Sequence, residues 1–256
     1  MSDKKNYSKL KVFAIANQKG GVGKTTTTIN LATGLAAVGL KILLIDLDPQ
    51  GNASTGLGIE KNDRDINSYS VISGELNISD AIRKSKIPNL DLIVATVDLL
   101  GAEIELIDED KRGHKLDDAI KSLKKQPKYD YVLIDCPPAL GLLTLNALTA
   151  ADSVLVPLQC EFFALEGLSQ LIKTVEMVKL SFNPNLKLDG IILTMFDKRN
   201  NLSEQVADDA RKNLGSTVFE TVIPRNVRVS EAPSHGIPAL VYDHNCSGSV
   251  AYMNLA

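Results

Sequence analysis

The segment Lys19–Thr26 has the residue types of a loop that binds phosphate. Its sequence, KGGVGKTT, combines three glycines with two lysines and two threonines. Glycines let successive backbone N–H groups curl around phosphate oxygens, and the N-terminus of a following helix adds positive partial charge. We therefore expect Lys24 to reach the β- and γ-phosphates of a nucleotide and the Thr25 hydroxyl to bind Mg²⁺.

This segment departs from the usual phosphate-loop pattern at its first position. The pattern G-x-x-x-x-G-K-[ST] would place a glycine at position 18, where the chain has Gln18. A lysine, Lys19, stands directly before the glycine pair instead. An apolar run precedes the segment and a helical pattern follows it, which favours a phosphate loop over an incidental glycine-rich turn.

Two aspartates, Asp46 and Asp48, end the second apolar run. They stand two positions apart in DLDPQGN and would share one side of a strand, although Pro49 soon breaks it. In phosphoryl transfer the protein mainly positions the attacking water and offsets charge, so Asp48 is expected to act on water near the γ-phosphate. The alternative is that Asp48 only caps a turn.

A third aspartate, Asp135, ends the apolar run Tyr131–Asp135. This is the layout of a Walker B carboxylate, which would hold Mg²⁺ directly or through water. Many buried strands end in aspartate, so the signal depends on the phosphate loop upstream. The following segment, Pro137–Gly141, is interpreted as a stiff loop that could sense the γ-phosphate.

The elements that must position these residues alternate along the chain. Short, continuously apolar runs indicate buried parallel strands, and amphipathic patterns between them indicate helices. This alternation predicts an α/β fold, doubly wound, with a mostly parallel sheet and helices on both faces. The strands are predicted at 11–17, 42–46, 90–95, 131–135, 153–158 and 188–195, and the helices at 25–38, 115–125, 142–150, 165–180 and 203–214.

Composition limits the remaining classes of protein. The chain has 256 residues, a formal charge of −3 and three well separated cysteines, which form neither a disulfide framework nor a metal pair. No apolar stretch approaches the roughly 18 residues of a membrane span, and no leader pattern precedes residue 11. We expect a cytoplasmic chain with a flexible tail at 1–10 and one domain at 11–256.

Five motifs together resemble the ParA family and, within it, the chromosomal Soj branch. They appear in the order and near the spacing of that family, from about Lys11 to the last residue. The segments that carry the resemblance are 19–26, 46–52, 131–141, 159–167 (QCEFFALEG) and 224–236 (PRNVRVSEAPSHG). The family usually continues beyond the last helix, so 248–256 is interpreted as a helix cut short.

The resemblance implies a P-loop ATPase that uses ATP and Mg²⁺ and forms a face-to-face homodimer around two ATP molecules. Such a dimer would bind double-stranded DNA without sequence preference and be released when a ParB/Spo0J-type protein stimulates hydrolysis. It implies a nucleoid-associated protein that does not use a membrane. Lys19 would reach the partner subunit's nucleotide, Gly20 would lie where the subunits approach, and Asp48 would be needed for hydrolysis.

The resemblance also assigns residues outside the phosphate loop. DNA contacts would fall on Arg199 and Arg228, although charge alone favours an exposed, salt-bridged surface there. Pro224 and Asn226 resemble the segment that lines the adenine, with a simple turn as the alternative. The nucleotide-binding residues are thus predicted to be Lys19, Gly20, Gly21, Val22, Gly23, Lys24, Thr25, Thr26, Pro224 and Asn226.

Three other functions share parts of this pattern. A MinD-like membrane-cycling ATPase would need a basic amphipathic C-terminal helix, whereas 252–256 (YMNLA) has no lysine or arginine. A nitrogenase-iron-protein-like reductase would need cluster cysteines on surface loops, which Cys136 and Cys160 do not resemble. A nucleotide-binding scaffold without turnover is opposed by Asp48, and the lack of an identifiable arginine finger predicts slow unaided hydrolysis.

Overall fold

The computed structural model describes residues 10–125 and 128–256, without the side chain of Glu103. Within them one eight-stranded sheet has the order β3-β4-β2-β5-β1-β6-β7-β8, and only the edge strand β3 is antiparallel. The predicted doubly wound α/β fold is confirmed. The strands are β1 Lys11–Ile15, β2 Ile42–Asp46, β3 Arg83–Lys84, β4 Leu90–Ile93, β5 Tyr131–Asp135, β6 Ser153–Gln159, β7 Lys187–Phe196 and β8 Val218–Pro224.

Helices cover both faces of this sheet. One apolar core packs α3 to α8 against one face, and a second core packs α1, α2 and α9 to α11 against the other. The helices are α1 Lys24–Ala37, α2 Asn52–Gly56, α3 Ser68–Ile72, α4 Leu99–Glu105, α5 Lys115–Lys125, α6 Leu142–Ala150, α7 Ala164–Ser181, α8 Asn201–Leu214, α9 Val227–Glu231, α10 Ala239–Tyr242 and α11 Ser247–Leu255.

The strand register brings the chemically active residues to one edge of the sheet. Strand β5 lies between β1 and β2, so that Asp135 is opposite Ile15 in β1 and Asp46 in β2. All five residues of β2 are buried, because parallel strands in the middle of such a sheet have helices on both sides. The carboxyl ends of three neighbouring strands therefore meet where the phosphate loop leaves β1.

The structure differs from the sequence prediction mainly at the edges of the sheet. Strands β3 and β8 and the four- or five-residue helices α2, α3, α9 and α10 were not predicted. Strand β8 is half-exposed and contains Glu220 and Thr221, so it lacks the continuous apolar pattern of the central strands. Helices this short do not complete enough turns to show a period.

The tail predicted at residues 1–10 is described by the structure only at its last residue. Residues 1–9 of the predicted tail lie outside the described residues, whereas Leu10, also assigned to that tail, is buried in the core. The expectation of a single domain is compatible with one sheet that runs through the described parts of the chain. Within residues 10–125 and 128–256, no helix is both long and apolar enough to cross a membrane.

Candidate active site

The phosphate loop leaves β1 and turns directly into α1. Gly21 and Gly23 have φ of 76° and 89°, in the left-handed region that favours glycine. A Cβ atom added at Gly20 or Gly21 would meet nothing within 4 Å, so this side of the loop is open. On its inner side the Thr194 hydroxyl of β7 donates to the Val22 carbonyl at 2.8 Å, which fixes the loop to the sheet.

Lys24 begins α1 and turns back over the loop. Its ammonium group donates to the Lys19 carbonyl at 2.9 Å, and the residue is only 6% exposed. Burial lowers the pKa of Lys24, while the nearby Asp135 carboxylate acts in the opposite direction. A cation held in a partly desolvated loop of backbone donors is well placed to bind phosphate oxygens.

Two carboxylates at this edge of the sheet, Asp135 and Asp46, are fully buried. Of these two, Asp135 interacts with Lys24. Burial, followed by the neighbouring Asp46, raises the pKa of Asp135 well above its usual range, although hydroxyl hydrogen bonds from Thr25 and Thr28 oppose this. Burial also raises the pKa of Asp46 to about 6. Carboxylates held this close in a dry environment favour an added cation.

The geometry around Asp135 fits Mg²⁺. Its Oδ1 accepts from Thr28 at 3.1 Å, but its Oδ2 is buried without a hydrogen-bond partner. No group of three or more His, Cys, Asp or Glu suitable for a metal occurs in the described part of the chain. The unpartnered Asp135 Oδ2 is an oxygen that could help to hold Mg²⁺, with the Thr25 hydroxyl, phosphate oxygens and water as the other ligands. Bound Mg²⁺ would neutralise charge that develops on the phosphates.

Asp48 lies in the turn after β2 and is 7% exposed. Its Oδ1 accepts from the Gln50 backbone at 3.0 Å, and its carbonyl accepts from the Gly51 backbone at 2.8 Å. The turn-capping role considered as an alternative is therefore real. It leaves the second carboxylate oxygen for other contacts, so capping and action on water are compatible at this position.

Lys19 behaves differently from Lys24 although both belong to one loop. Its ammonium group pairs with Glu161, in the segment between β6 and α7, and its side chain is 46% exposed. Its backbone N–H donates to Asn17 Oδ1 at 3.0 Å. Lys19 thus points out of its own phosphate site and is held by a carboxylate of its own chain.

A groove of about 800 Å³ lies between the ends of β7 and β8 and helix α11. Pro224 and Asn226, the two residues predicted to line the adenine, both line this groove. The Asn226 side chain, however, caps α9 by accepting from Arg228 N at 2.9 Å, and it donates to Ser247 Oγ at 3.0 Å. Its amide is occupied within the chain, so any contact with a base would use its backbone or the groove wall.

The two predicted DNA-contact residues are exposed and paired within the chain. Arg199 forms two hydrogen bonds to Asp197, at 3.0 and 2.9 Å, and its side chain is 89% exposed. This pairing lowers the pKa of Asp197 to about 2. Arg228 donates to Glu231 at 3.1 Å and lies 3.8 Å from Asp243. The salt-bridged surface that charge patterning favours is therefore present.

The predicted site residues thus fall into three places. The phosphate loop, Asp48 and Asp135 meet at the carboxyl edge of the sheet. Pro224, Asn226 and the exposed Arg199 line the groove, and Arg228 lies on the surface. Sequence reasoning missed Thr194 and Glu161, which anchor the loop and Lys19 from distant segments. Glu161 stands within a quoted motif, so a signal existed for it, whereas nothing local distinguishes Thr194.

Comparisons with known proteins show which proteins this chain resembles. A family profile described as "AAA domain" matches residues 10–188. The chromosome partitioning protein ParA of Caulobacter vibrioides is 59% identical over 96% of this chain and 92% of its own length. The sporulation initiation inhibitor protein Soj of Bacillus subtilis is 52% identical over 96% of each. Cobyrinic acid a,c-diamide synthase from Mycobacterium smegmatis, solved with ADP and magnesium, superposes with a TM-score of 0.83 at 36% identity, covering 96% of this chain and 91% of that one.

Replacement of Lys24 by alanine is expected to weaken ATP binding by about 100-fold or more. A charge-assisted hydrogen bond contributes roughly 1.5–3 kcal/mol, and Lys24 is expected to make more than one to phosphate. Isothermal titration calorimetry with Mg-ATP measures the change. Lys41→Ala, which removes an exposed lysine before β2, is the control and should bind ATP normally. Undiminished affinity in Lys24→Ala would contradict the role given to the loop.

Replacement of Asp135 by asparagine is expected to stabilise the nucleotide-free protein at pH 7 by about 1–2 kcal/mol. A raised folded-state pKa means that the ionised carboxylate opposes folding above its unfolded pKa, and asparagine removes that charge. The same variant should lose the extra stability that Mg-ATP confers. Thermal melts with and without Mg-ATP test both points, with Asp91→Asn as a control that breaks a paired carboxylate elsewhere and keeps the Mg-ATP increment.

Proposed function

Because the chain belongs to the ParA/Soj family of partitioning ATPases, we propose that its ATP-bound dimer binds DNA and is released by hydrolysis. The chain is an ATPase that uses ATP and Mg²⁺. The observation that carries the proposal is that two lysines of one loop differ in their surroundings. Lys24 is buried in its own site, whereas Lys19 is exposed and directed outward. An outward lysine suits a nucleotide shared with a second subunit.

Hydrolysis in this proposal depends on Asp48 and the phosphate loop. Backbone N–H groups of the loop and Lys24 would hold the β- and γ-phosphates, while Asp48 would orient the attacking water from the neighbouring turn. Phosphoryl transfer needs mainly positioning and charge stabilisation, which these groups supply. We identify no arginine among the described residues that would stabilise the charge on the γ-phosphate in the transition state. Hydrolysis without a partner protein is therefore expected to be slow.

Dimerisation would use the open side of the loop. Gly20 presents no side chain there, and the adjacent Phe162 and Phe163 are 75% and 62% exposed beside the Glu161 that holds Lys19. Exposed aromatic rings next to a polar site are common at protein interfaces. In a face-to-face dimer, Lys19 would exchange Glu161 for the phosphates of the partner's nucleotide.

DNA binding would come from Arg199 and Arg228 of both subunits. Two arginines in a monomer become four in a dimer, and the contribution of phosphate neutralisation adds across them. Each arginine also has a carboxylate partner in its own chain, which limits the affinity of a monomer. ATP-dependent dimerisation would therefore control DNA binding, and a ParB-type protein that stimulates hydrolysis would reverse it, which would place the protein on the nucleoid.

The reductase alternative is not favoured by the environment of the cysteines. Cys136 and Cys160 are 0% and 5% exposed, and burial raises the pKa of Cys160 to about 11. Cluster ligands shared between subunits must be thiolates that reach a surface. The MinD-like alternative is tested by sedimentation with liposomes in ATP, in which we expect the protein to stay in the supernatant.

Replacement of Gly20 by valine is expected to leave ATP binding within about 2-fold but to prevent dimerisation. In the monomer a Cβ at Gly20 meets nothing within 4 Å, so a new side chain would collide only with a partner. Light scattering after size exclusion in ATP measures the dimer. Gly20→Ala serves as a smaller step that retains more dimer, and Lys19→Ala should weaken the same interface. A normal Gly20→Val dimer would refute this geometry.

Asp48 and Arg228 are expected to affect different steps. Asp48→Ala should bind ATP and accumulate as a DNA-bound dimer, because it removes the group that orients water and leaves Lys24, Thr25 and Asp135 in place. Arg228→Ala should dimerise normally yet lose two phosphate contacts per dimer. At about −0.9 per contact in log K against log salt, its salt dependence should become shallower by roughly two units.

The measurement for both variants is retention of unrelated DNA duplexes across a salt series, with ATP, ADP and no nucleotide. Lys187→Ala removes an exposed lysine at the opposite end of β7 and is the control for charge alone. Retention by wild type should need ATP and should not depend on sequence. Normal hydrolysis by Asp48→Ala, or wild-type affinity and slope for Arg228→Ala, would contradict the corresponding assignment.

A further inference from the structure

We propose that Arg64 is a positioning residue for hydrolysis, because its buried guanidinium fixes the turn that carries Asp48. The inference rests on the proposed function, in which Asp48 orients the attacking water. Arg64 follows the single-turn segment Lys61–Asp63 and is distant in sequence from the phosphate loop. Nothing in its sequence surroundings distinguishes it from an ordinary surface arginine.

The guanidinium group binds several parts of the Asp48 region at once. Arg64 is 4% exposed. Its Nη1 donates to the carbonyls of Gly51 and Ala95, at 3.1 and 3.2 Å. Its Nη2 donates to Thr55 Oγ1 at 2.8 Å and to the Ile59 carbonyl at 2.6 Å. One planar group thus joins the end of the turn, helix α2 and the segment after β4.

Gly51 is the point at which this contact acts on Asp48. The Gly51 N–H donates to the Asp48 carbonyl, which closes the turn, while the Gly51 carbonyl accepts from Arg64. A Cβ atom at Gly51 would lie 2.2 Å from Arg64 Nη1, so the guanidinium packs directly against this backbone. Gly51 also has a φ of 62°. The turn is therefore held on both sides of one glycine.

A second set of buried hydrogen bonds holds the other end of the same turn. Asp46 accepts from the Ser54 backbone and hydroxyl at 2.8 and 2.7 Å, and from the Asp48 backbone at 3.2 Å. The Ser54 hydroxyl in turn accepts from the Ala95 backbone at 3.0 Å. Arg64 and Ser54 both connect to Ala95, so the turn is tied to a fixed point beyond β4.

Burying the charged guanidinium of Arg64 costs desolvation free energy. Burial lowers the pKa of Arg64, and no ion pair joins it to a carboxylate within the described residues. An apolar side chain would fill a buried position without a desolvation penalty. What the guanidinium provides instead is a rigid fork that fixes carbonyls at several points. A rigid guanidinium of this kind would keep the Asp48 carboxylate in the position from which it orients water.

The test compares Arg64→Lys and Thr55→Val with wild type by single-turnover hydrolysis of bound ATP. We expect Arg64→Lys to slow hydrolysis by about 10- to 100-fold with ATP affinity within about 2-fold, because small displacements of a catalytic group have effects of this size. Thr55→Val removes one acceptor of Arg64, and with it a hydroxyl that donates to the Gly51 carbonyl at 3.1 Å, but keeps the charge of Arg64. It should slow hydrolysis by about 3- to 10-fold. Lys61→Gln, an exposed neighbour, is the control and should hydrolyse normally.

A double-mutant cycle separates positioning from a general loss of structure. With Asp48 replaced by alanine, Arg64→Lys should cause no further loss of the residual rate, because both changes act through one group. A fall in melting temperature with an unchanged rate per bound ATP would overturn the inference. If Arg64→Lys does not fold, Thr55→Val decides by the same criteria.

The outcome also distinguishes this inference from the function on which it rests. Normal hydrolysis by Asp48→Ala would remove the catalytic assignment itself. Loss of hydrolysis in Asp48→Ala, together with wild-type rates for Arg64→Lys and Thr55→Val, would leave that assignment standing and overturn the role of Arg64 alone.

Discussion

The attraction between Lys24 and the buried Asp135 carboxylate, which has Asp46 as its neighbour, is the interaction on which the rest of this site depends. Asp46 and Asp135 are fully buried and opposite each other in neighbouring strands, so their charges repel in a dry environment. Lys24 offsets part of that repulsion, but burial lowers its own pKa. The protein folds in spite of this repulsion, and bound Mg²⁺ and phosphate would lower the electrostatic free energy of the cluster further. This is the electrostatic condition for binding Mg-ATP.

The parallel sheet makes this cluster possible. Because β1, β2 and β5 are neighbouring parallel strands, the loops that follow them start from the same edge of the sheet. The topology alone therefore brings their polar residues together. The surrounding hydrogen bonds then restrict movement: Thr194 holds the loop, and Asp46 and Arg64 hold the Asp48 turn. The site is thus rigid where phosphate and water must be aligned, and exposed at Lys19, where a partner would be engaged.

The sequence was sufficient to predict the central strands and the phosphate loop, but not the edge of the sheet or the contacts around the site, for physical reasons. Buried parallel strands such as Ile42–Asp46 have a continuous apolar pattern, and the phosphate loop has a composition that few other structures require. Strand β8 is half-exposed, so its pattern is ambiguous. Arg64 and Glu161 act through contacts with residues elsewhere in the sequence, and their residue types are equally common on ordinary surfaces. Such contacts become visible only in three dimensions.

The three cations proposed to make intermolecular contacts all form ion pairs within their own chain, and this affects how easily those contacts could be reversed. Lys19, Arg199 and Arg228 are each paired with a carboxylate of their own chain. Exposed pairs of this kind contribute roughly 0–1 kcal/mol, so exchanging a carboxylate for a phosphate needs little energy in either direction. A single contact of this kind is therefore weak, and useful affinity requires several at once. In the proposed cycle, dimerisation would supply that number and hydrolysis would remove it. The strength of DNA binding would then follow the nucleotide state without any change in the arginines themselves.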